Sequence, residues 1–448
     1  MFRHAELCDI YCAIIILTQC MPLHNVCYTT LKQQESDVSL VQSKKLILGA
    51  LGALVAAVPS VGLASGFDRG VVPPDFLYEK DDIIQVSFAA VKPDVKGKVV
   101  SSPKVGLQAQ ATALQVKAAA NPTNIPLQQQ AAQVSFLAAK TPAVGQETGN
   151  VAGDYNRIGL SLKKDINDDF TFGFQVTQPA GIDISYPDEM FGVYMDTEIT
   201  AVDLFLKYQV NDDVSVFGGP RIQQNSDGGF ANDLSGEFHF EGSTEVGYVV
   251  GAGYKNPDLH TLVLVSYTSD IKHTMDAKPI PGSGPVSDGV IATDYEGKIY
   301  VSTPDQFQLL VKQPLSEKSV ITASYRKARW SQANVETNLA GFESLTDFKD
   351  VEAYTLGYGY KLTEEVALFG SLLHQTGEAN VFGPVNDRTG AALIAQFKVD
   401  RFKVETGVTY FELEDAETTI PLGAAGDVVT KFEGNSALAF TFRLGYYF

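Results

Sequence analysis

The chain ends on Leu438-Ala439-Phe440-Thr441-Phe442-Arg443-Leu444-Gly445-Tyr446-Tyr447-Phe448. Successive side chains of a strand point to opposite faces. Leu438, Phe440, Phe442, Leu444, Tyr446 and Phe448 therefore share one face, and Ala439, Thr441, Arg443, Gly445 and Tyr447 the other. A soluble sandwich strand alternates too, but its bulky face seldom runs through so many successive positions into a terminal aromatic. The bulky face is read as facing lipid, and Leu444, Tyr446 and Phe448 as the C-terminal signal for a barrel-assembly machinery.

The same alternation recurs upstream, in Ile158, Leu160 and Leu162, in Val202, Leu204, Leu206 and Tyr208, in Val246, Tyr248 and Val250, and in Tyr354, Leu356, Tyr358 and Tyr360. Between these sit small or polar residues, as at Arg157, Gly159, Ser161 and Lys163. Apolar outside with small or polar inside is the arrangement of a transmembrane barrel, whose closed sheet satisfies every backbone donor and acceptor without water. After Ala64 no apolar window reaches the roughly 18 residues a spanning helix needs, so helical spans are excluded.

Tight connections give the strand number. Tight turns are expected at 166–169, 210–213, 255–258, 315–318, 362–365 and 399–401, each between two alternating runs. Long loops are expected near 94–152, 187–198, 224–244, 269–302, 331–350, 377–387 and 413–434. Short connections on one side and long ones on the other mark an outer-membrane barrel, the short side being periplasmic. With both termini on that side, the expected fold is an all-β, antiparallel transmembrane barrel of about fourteen strands spanning 81–448. Residues 101–145 are rich in Gln and Ala and form a low-complexity insertion in the first long loop, either helical or disordered.

Composition agrees. Of 448 residues, 45% are apolar and 19% charged, and 53 Asp and Glu against 34 Lys and Arg give a net charge of −19. That balance argues against a nucleic-acid partner bound by counterion release. Cys8, Cys12, Cys20 and Cys27 all precede residue 28, leaving the body without disulfide or thiolate-metal chemistry. Residues 44–64 show a basic head, a short apolar core and small residues up to Ala64, the pattern of a secretory signal peptide. Residues 1–43 are expected to be a non-native or misassigned extension, with translation starting near Val41.

Asp165-Ile166-Asn167-Asp168-Asp169-Phe170-Thr171-Phe172-Gly173, then Gly181-Ile182, then Tyr208 to Gly218, resemble the second-to-fifth-strand region of the FadL/TodX long-chain fatty acid transporters. Gly153-Asp154-Tyr155, Thr303-Pro304-Asp305-Gln306-Phe307, Asp415-Ala416-Glu417 and Asn435-Ser436-Ala437 are similar to divergent members. The resemblance covers about 67–448. It implies passive uptake of hydrophobic molecules, most of all long-chain fatty acids, through a lumen closed by an N-terminal hatch, with lateral exit at a kinked third strand. Pro179 and Gly181 interrupt that strand at the corresponding place, and since proline cannot donate to the ladder a local opening is physically reasonable. The other reading is that Pro179 marks the strand's outer end. Only residues 65–80 are available as a hatch, shorter than the family's, so either this segment suffices or 101–145 cover the lumen from outside.

Burying a sixteen-carbon chain at about 0.8 kcal/mol per methylene gives on the order of 10 kcal/mol gross, so apolar lining sets affinity and an inward cation sets orientation. Alternation nominates Arg157, Arg443, Lys207 and Arg326 as lumenal candidates to orient a ligand carboxylate. The competing reading is that each balances a lumenal acid such as Asp203 or Glu405. No catalytic constellation, metal site or cofactor is expected: the six histidines are scattered singly, His239 reading as a solvated loop residue. Trp330 and the other aromatics near strand ends read as interfacial girdles. Loop acids such as Asp347, Asp350, Glu414 and Glu417 either hold cations that bridge lipopolysaccharide or are simply solvated. The expected partners are outer-membrane lipid, lipopolysaccharide and a hydrophobic small molecule such as a long-chain fatty acid. The alternative function is a general diffusion porin or a structural barrel without hydrophobic cargo.

Overall fold

The computed structural model describes residues 67–70, 72–233, 236–256, 259–280, 297–337 and 346–448. The expected signal peptide and the extension before it lie outside those residues.

Fourteen strands form one closed antiparallel barrel. They are β1 (Ile83–Asp94), β2 (Tyr155–Asp165), β3 (Phe170–Ser185), β4 (Tyr194–Gln209), β5 (Val214–Asn225) and β6 (Ser243–Lys255). Next come β7 (Leu262–Thr268, resumed at Ile271–Pro279), β8 (Gly297–Thr303, resumed at Gln306–Ser316) and β9 (Ser319–Ala328). The circuit ends with β10 (Val351–Lys361), β11 (Val366–Gln375), β12 (Arg388–Val399), β13 (Phe402–Leu413) and β14 (Asn435–Tyr447). β1 pairs with β2 on one edge and with β14 on the other, from Ile83↔Tyr447 to Asp94↔Ser436, which closes the sheet. The terminal alternation holds: Phe440 and Phe442 are exposed on the outer face, whereas Ala437 and Ala439 are buried inside.

The short connections among the described residues fall at the expected places, and their chemistry is visible; Pro257 and Asp258 of the turn expected at 255–258 lie outside those residues. The Asn167 side chain accepts from the backbone N–H of Asp169 (3.0 Å) and Phe170 (2.8 Å), and Asn211 does the same for Asp213 and Val214. Asp400 adopts a positive φ of 50° in the tightest turn.

The long side departs from expectation in three places. β7 and β8 continue beyond a break at Ser269-Asp270 and Pro304-Asp305, so the stretch expected as a loop over 269–302 is strand as far as Pro279 and again from Gly297, and 281–296 lie outside the described residues. The two breaks interrupt the alternation and hide the strands beyond them. Residues 224–244 contain a hairpin, Gly228–Asn232 with Gly236–Phe240. Residues 413–434 contain another, Ala416–Pro421 with Asp427–Phe432, joined to Lys96–Ser101 and Glu147–Asn150 in a small second sheet.

The Gln- and Ala-rich insertion folds as a helical hairpin, α1 (Lys104–Ala120) and α2 (Ile125–Lys140). Ala is the strongest helix former, and Asn124 caps α2 by accepting from the Leu127 N–H at 3.2 Å. Leu107 and Ala111 of α1 pack with Ala138 of α2 and with Leu422 and Ala425 of the nearby loop.

Of the apolar clusters inside the barrel, two take in residues that precede the first strand. The larger, toward the long loops, gathers Phe67, Phe191, Phe238, Trp330, Phe348 and Phe432. Trp330 is therefore not an interfacial residue: it is 2% exposed and its ring lies 5.7 Å from that of Phe348 and 6.5 Å from that of Phe67. A short 3-10 turn at Trp330–Gln332 follows β9 and turns the indole inward, which position along a strand does not reveal. The smaller cluster gathers Phe76, Leu77, Phe205, Phe217, Leu264 and Leu310 nearer the short turns.

Candidate functional site: a lumen crossed by its own leading segment

Residues 67–70 and 72–80 run through the barrel. Leu77 has no exposed surface and belongs to one buried cluster with Phe205 and Phe217, while Phe76 meets Phe205 edge-on at 6.1 Å. Each such side chain contributes about 1.5–3 kcal/mol on burial, so the apolar contacts alone give the segment a firm seat.

Polar contacts fix its register. Asp68 is 1% exposed and accepts from both ends of the Arg326 guanidinium, from Gln375 Nε2 at 3.0 Å and from the Gly70 N–H at 2.9 Å. Burial opposes ionisation of that carboxyl, but Arg326, Arg388 and the Gly70 amide together outweigh it and hold Asp68 below its ordinary value of 3.8. Arg69 pairs with Glu198 at 3.1 Å and sits 4.3 Å over the Tyr155 ring. Asp75 pairs with Lys312 at 2.8 Å, and Glu79 with Lys403 at 3.0 Å.

All four cations nominated from the alternation face inward, and each has a partner. Arg157 donates to the backbone oxygens of Arg69 (2.8 Å) and Gly70 (3.3 Å), and Arg326 holds Asp68. Lys207 donates to the Leu77 oxygen at 2.9 Å, 4.9 Å from the Tyr78 ring centre. Arg443 pairs with Glu405 at 3.1 Å, and Asp203 is paired with Arg221 at 3.4 Å. Alternation alone could have added Arg221 and Arg388 to the inward cations. Asp68 and Arg69 carry no such signal, because they precede the first strand.

The third strand carries an irregularity at the nominated place. The β3–β4 register shifts between Thr177↔Ala201 and Ala180↔Ile199, with Gln178 and Pro179 opposite Thr200 alone, so the inward set passes from odd positions (Gln175, Thr177) to even ones (Ala180, Ile182). On its other edge β3 pairs with β2 only from Asp165↔Thr171 to Leu160↔Val176. Beyond that the Gln178 side chain accepts from the Ile158 N–H at 2.8 Å. The leading segment then supplies two backbone bonds: Arg69 N–H to Pro179 O at 3.1 Å, and Gly181 N–H to Phe67 O at 3.0 Å. A Cβ on Gly181 would lie 2.7 Å from the Arg69 guanidinium carbon, so any side chain there would have to displace the guanidinium.

A cavity of about 170 Å³ opens beside this irregularity. Inward residues line it, among them Arg157, Ser161, Gln175, Arg326 and Arg443, together with outward residues of the same wall, Ile158, Leu160 and Val176. Among the described residues no group of His, Cys, Asp and Glu could hold a metal ion.

A closed fourteen-stranded barrel with a lipid-facing apolar exterior, short turns at one end, and a lumen crossed by its own leading segment defines an outer-membrane channel. The profile of the family described as "Outer membrane protein transport protein (OMPP1/FadL/TodX)" matches residues 104–446, and the chain belongs to that family. It is a barrel of the outer membrane, in a family that transports hydrophobic compounds. Among solved structures it is similar to a Pseudomonas aeruginosa FadL homologue at 15% identity and a TM-score of 0.66, covering 87% of this chain and 97% of that one. It is also similar to the P. putida toluene transporter TodX (12%, 0.54, 87% and 94%) and the Ralstonia pickettii toluene transporter TbuX (12%, 0.52, 87% and 98%). At such identities the likeness is one of fold. No curated protein sequence matches at a significant level.

Proposed function

We propose that this barrel takes up compact, largely uncharged hydrophobic molecules and releases them sideways through its wall between β2 and β3. The observation that carries the reading is the cavity, which borders both faces of the wall where the β2–β3 ladder has ended. Its volume of about 170 Å³ is close to the roughly 150 Å³ that accommodates one benzene ring. Apolar walls supply the affinity, and the partnered cations Arg157, Arg326 and Arg443 leave a neutral solute no charge to satisfy. Lateral release spares such a solute the transfer into periplasmic water.

A second reading, uptake of long-chain fatty acids, draws support from the same three cations at the cavity edge, since a carboxylate could exchange for one of their present partners. The two are separated by uptake and direct binding measured with toluene and with a long-chain fatty acid in a strain lacking other such channels. Arg157→Ala and Arg443→Ala are expected to leave toluene uptake within about twofold. A loss of fatty acid binding with toluene unaffected would establish the second reading. High ion conductance with no uptake of either compound would replace both with a diffusion porin.

A further inference from the structure

Although the chain carries a net charge of −19, its lumen is ringed with lysines close to the short turns. Lys163 of β2, Lys312 of β8, Lys361 of β10 and Lys403 of β13 are each under 5% exposed, and Lys207 of β4 faces the same space. They come from strands spread around the barrel and lie within a few residues of its short-turn end. Two of them reach outward, Lys163 to Asp165 and Lys361 to Glu364. The other three grip the leading segment: Lys312 on Asp75, Lys403 on Glu79 (with Glu405 at 3.4 Å), and Lys207 on the Leu77 carbonyl.

We infer that this mouth is an anion-binding ring whose resident occupants are the segment's own Asp75 and Glu79, and that it admits small anions in their place once the segment withdraws. Four buried lysines are a costly arrangement in a membrane-embedded lumen unless negative charge is always at hand. Here two of the balancing acids sit on a segment outside the wall, whereas every other salt bridge of the ring is made within it. When the segment moves, water and a counter-ion must enter with it. A ring of one sign, walled by a low-dielectric barrel, concentrates the opposite ion about tenfold or more. The periplasmic opening is thus selective for anions, whatever hydrophobic cargo passes through the wall above it.

The test uses the full barrel in planar bilayers under a potassium chloride gradient, with heat-modifiability on gels confirming that each variant is folded. Wild type is expected to conduct little. Asp75→Asn with Glu79→Gln should raise the conductance several-fold and make it about tenfold selective for chloride over potassium. Adding Lys312→Gln and Lys403→Gln should bring that ratio back toward one. Conductance no higher than wild type, cation selectivity, or a ratio indifferent to the lysine changes would each overturn the inference. Asp75→Cys gives a second route that does not depend on the double variant: from the periplasmic side an anionic methanethiosulfonate should react about tenfold faster than a cationic one. Equal or reversed rates would overturn the inference. Neither measurement bears on uptake, so the proposed transport could stand or fall separately.

Discussion

Between β13 and β14 the ladder runs unbroken from Phe402↔Tyr446 to Leu413↔Asn435, and the wall there needs nothing but its own backbone. Between β2 and β3 it stops at Leu160↔Val176, and the next donors and acceptors are met by the Gln178 amide and by Phe67 and Arg69 of the leading segment. An unsatisfied peptide group in hydrocarbon costs several kcal/mol, so a gap in a membrane wall needs substitutes for the missing partners. A seam closed by replaceable partners can be reopened. One closed by its own ladder opens only with the barrel.

That difference can be broken most forcefully at the buried pair. Arg326→Ala leaves the Asp68 carboxylate without its guanidinium and should loosen the segment by about 3–5 kcal/mol. Hydrogen exchange should then accelerate at the amides of Arg69 and Gly181 while those of β13 and β14 stay protected. Unchanged protection at Gly181 would mean that the seam does not depend on the segment. Acid should act on the same joint. Because the Asp68 pKa is depressed in the folded state, its contribution is fully present above about 3.8 and is lost as pH falls through the lower folded value. Selective exposure of residues 67–70 below pH 3.8, with strand content intact by circular dichroism, is the expected result.

Gly181→Val tests the approach rather than the charge. Its side chain would collide with the Arg69 guanidinium, displacing it from Glu198 and from the Tyr155 ring, at a cost of about 1–3 kcal/mol to segment docking. Docking can be read from the reactivity of a single cysteine placed at residue 70. The side-chain substitute comes next, with a more local effect. Gln178→Ala strands the Ile158 N–H and should cost about 1–3 kcal/mol locally, seen as faster exchange at that amide alone. Thr406→Ala on the exposed face of the intact seam should change its neighbours by less than about 0.5 kcal/mol. Equal responses at the two positions would erase the distinction between the seams.

Much of the wall was legible in the sequence, because a strand in lipid must alternate and a tight turn must use residues suited to it. Asn167 and Asn211 announce their turns by composition, and both make the backbone contacts that composition implies. The breaks at Ser269-Asp270 and Pro304-Asp305 concealed the outer halves of β7 and β8, since alternation read in one direction cannot resume by itself. The inward direction of Arg157, Lys207, Arg326 and Arg443 was readable. Of their partners Glu405 could be named from the same alternation and is met by Arg443, but Asp68, Gly70 and Leu77 could not, because they lie in a segment without periodicity. Pro179 and Gly181 marked a disturbance in β3, but that Phe67 and Arg69 bond beside them could be seen only in three dimensions.

The pairing of β14 with β1 also dictates an order of assembly. The chain leaves the lumen near Lys80 and starts its first strand at Ile83, and that strand finds its second neighbour only when the last residues made, up to Tyr447, arrive beside it. Closure thus joins residues more than three hundred positions apart, and it can be completed only once the last strand is in hand. A variant that weakens the pairing of Ile83 with Tyr447 should accumulate as an unsealed precursor rather than as a finished barrel.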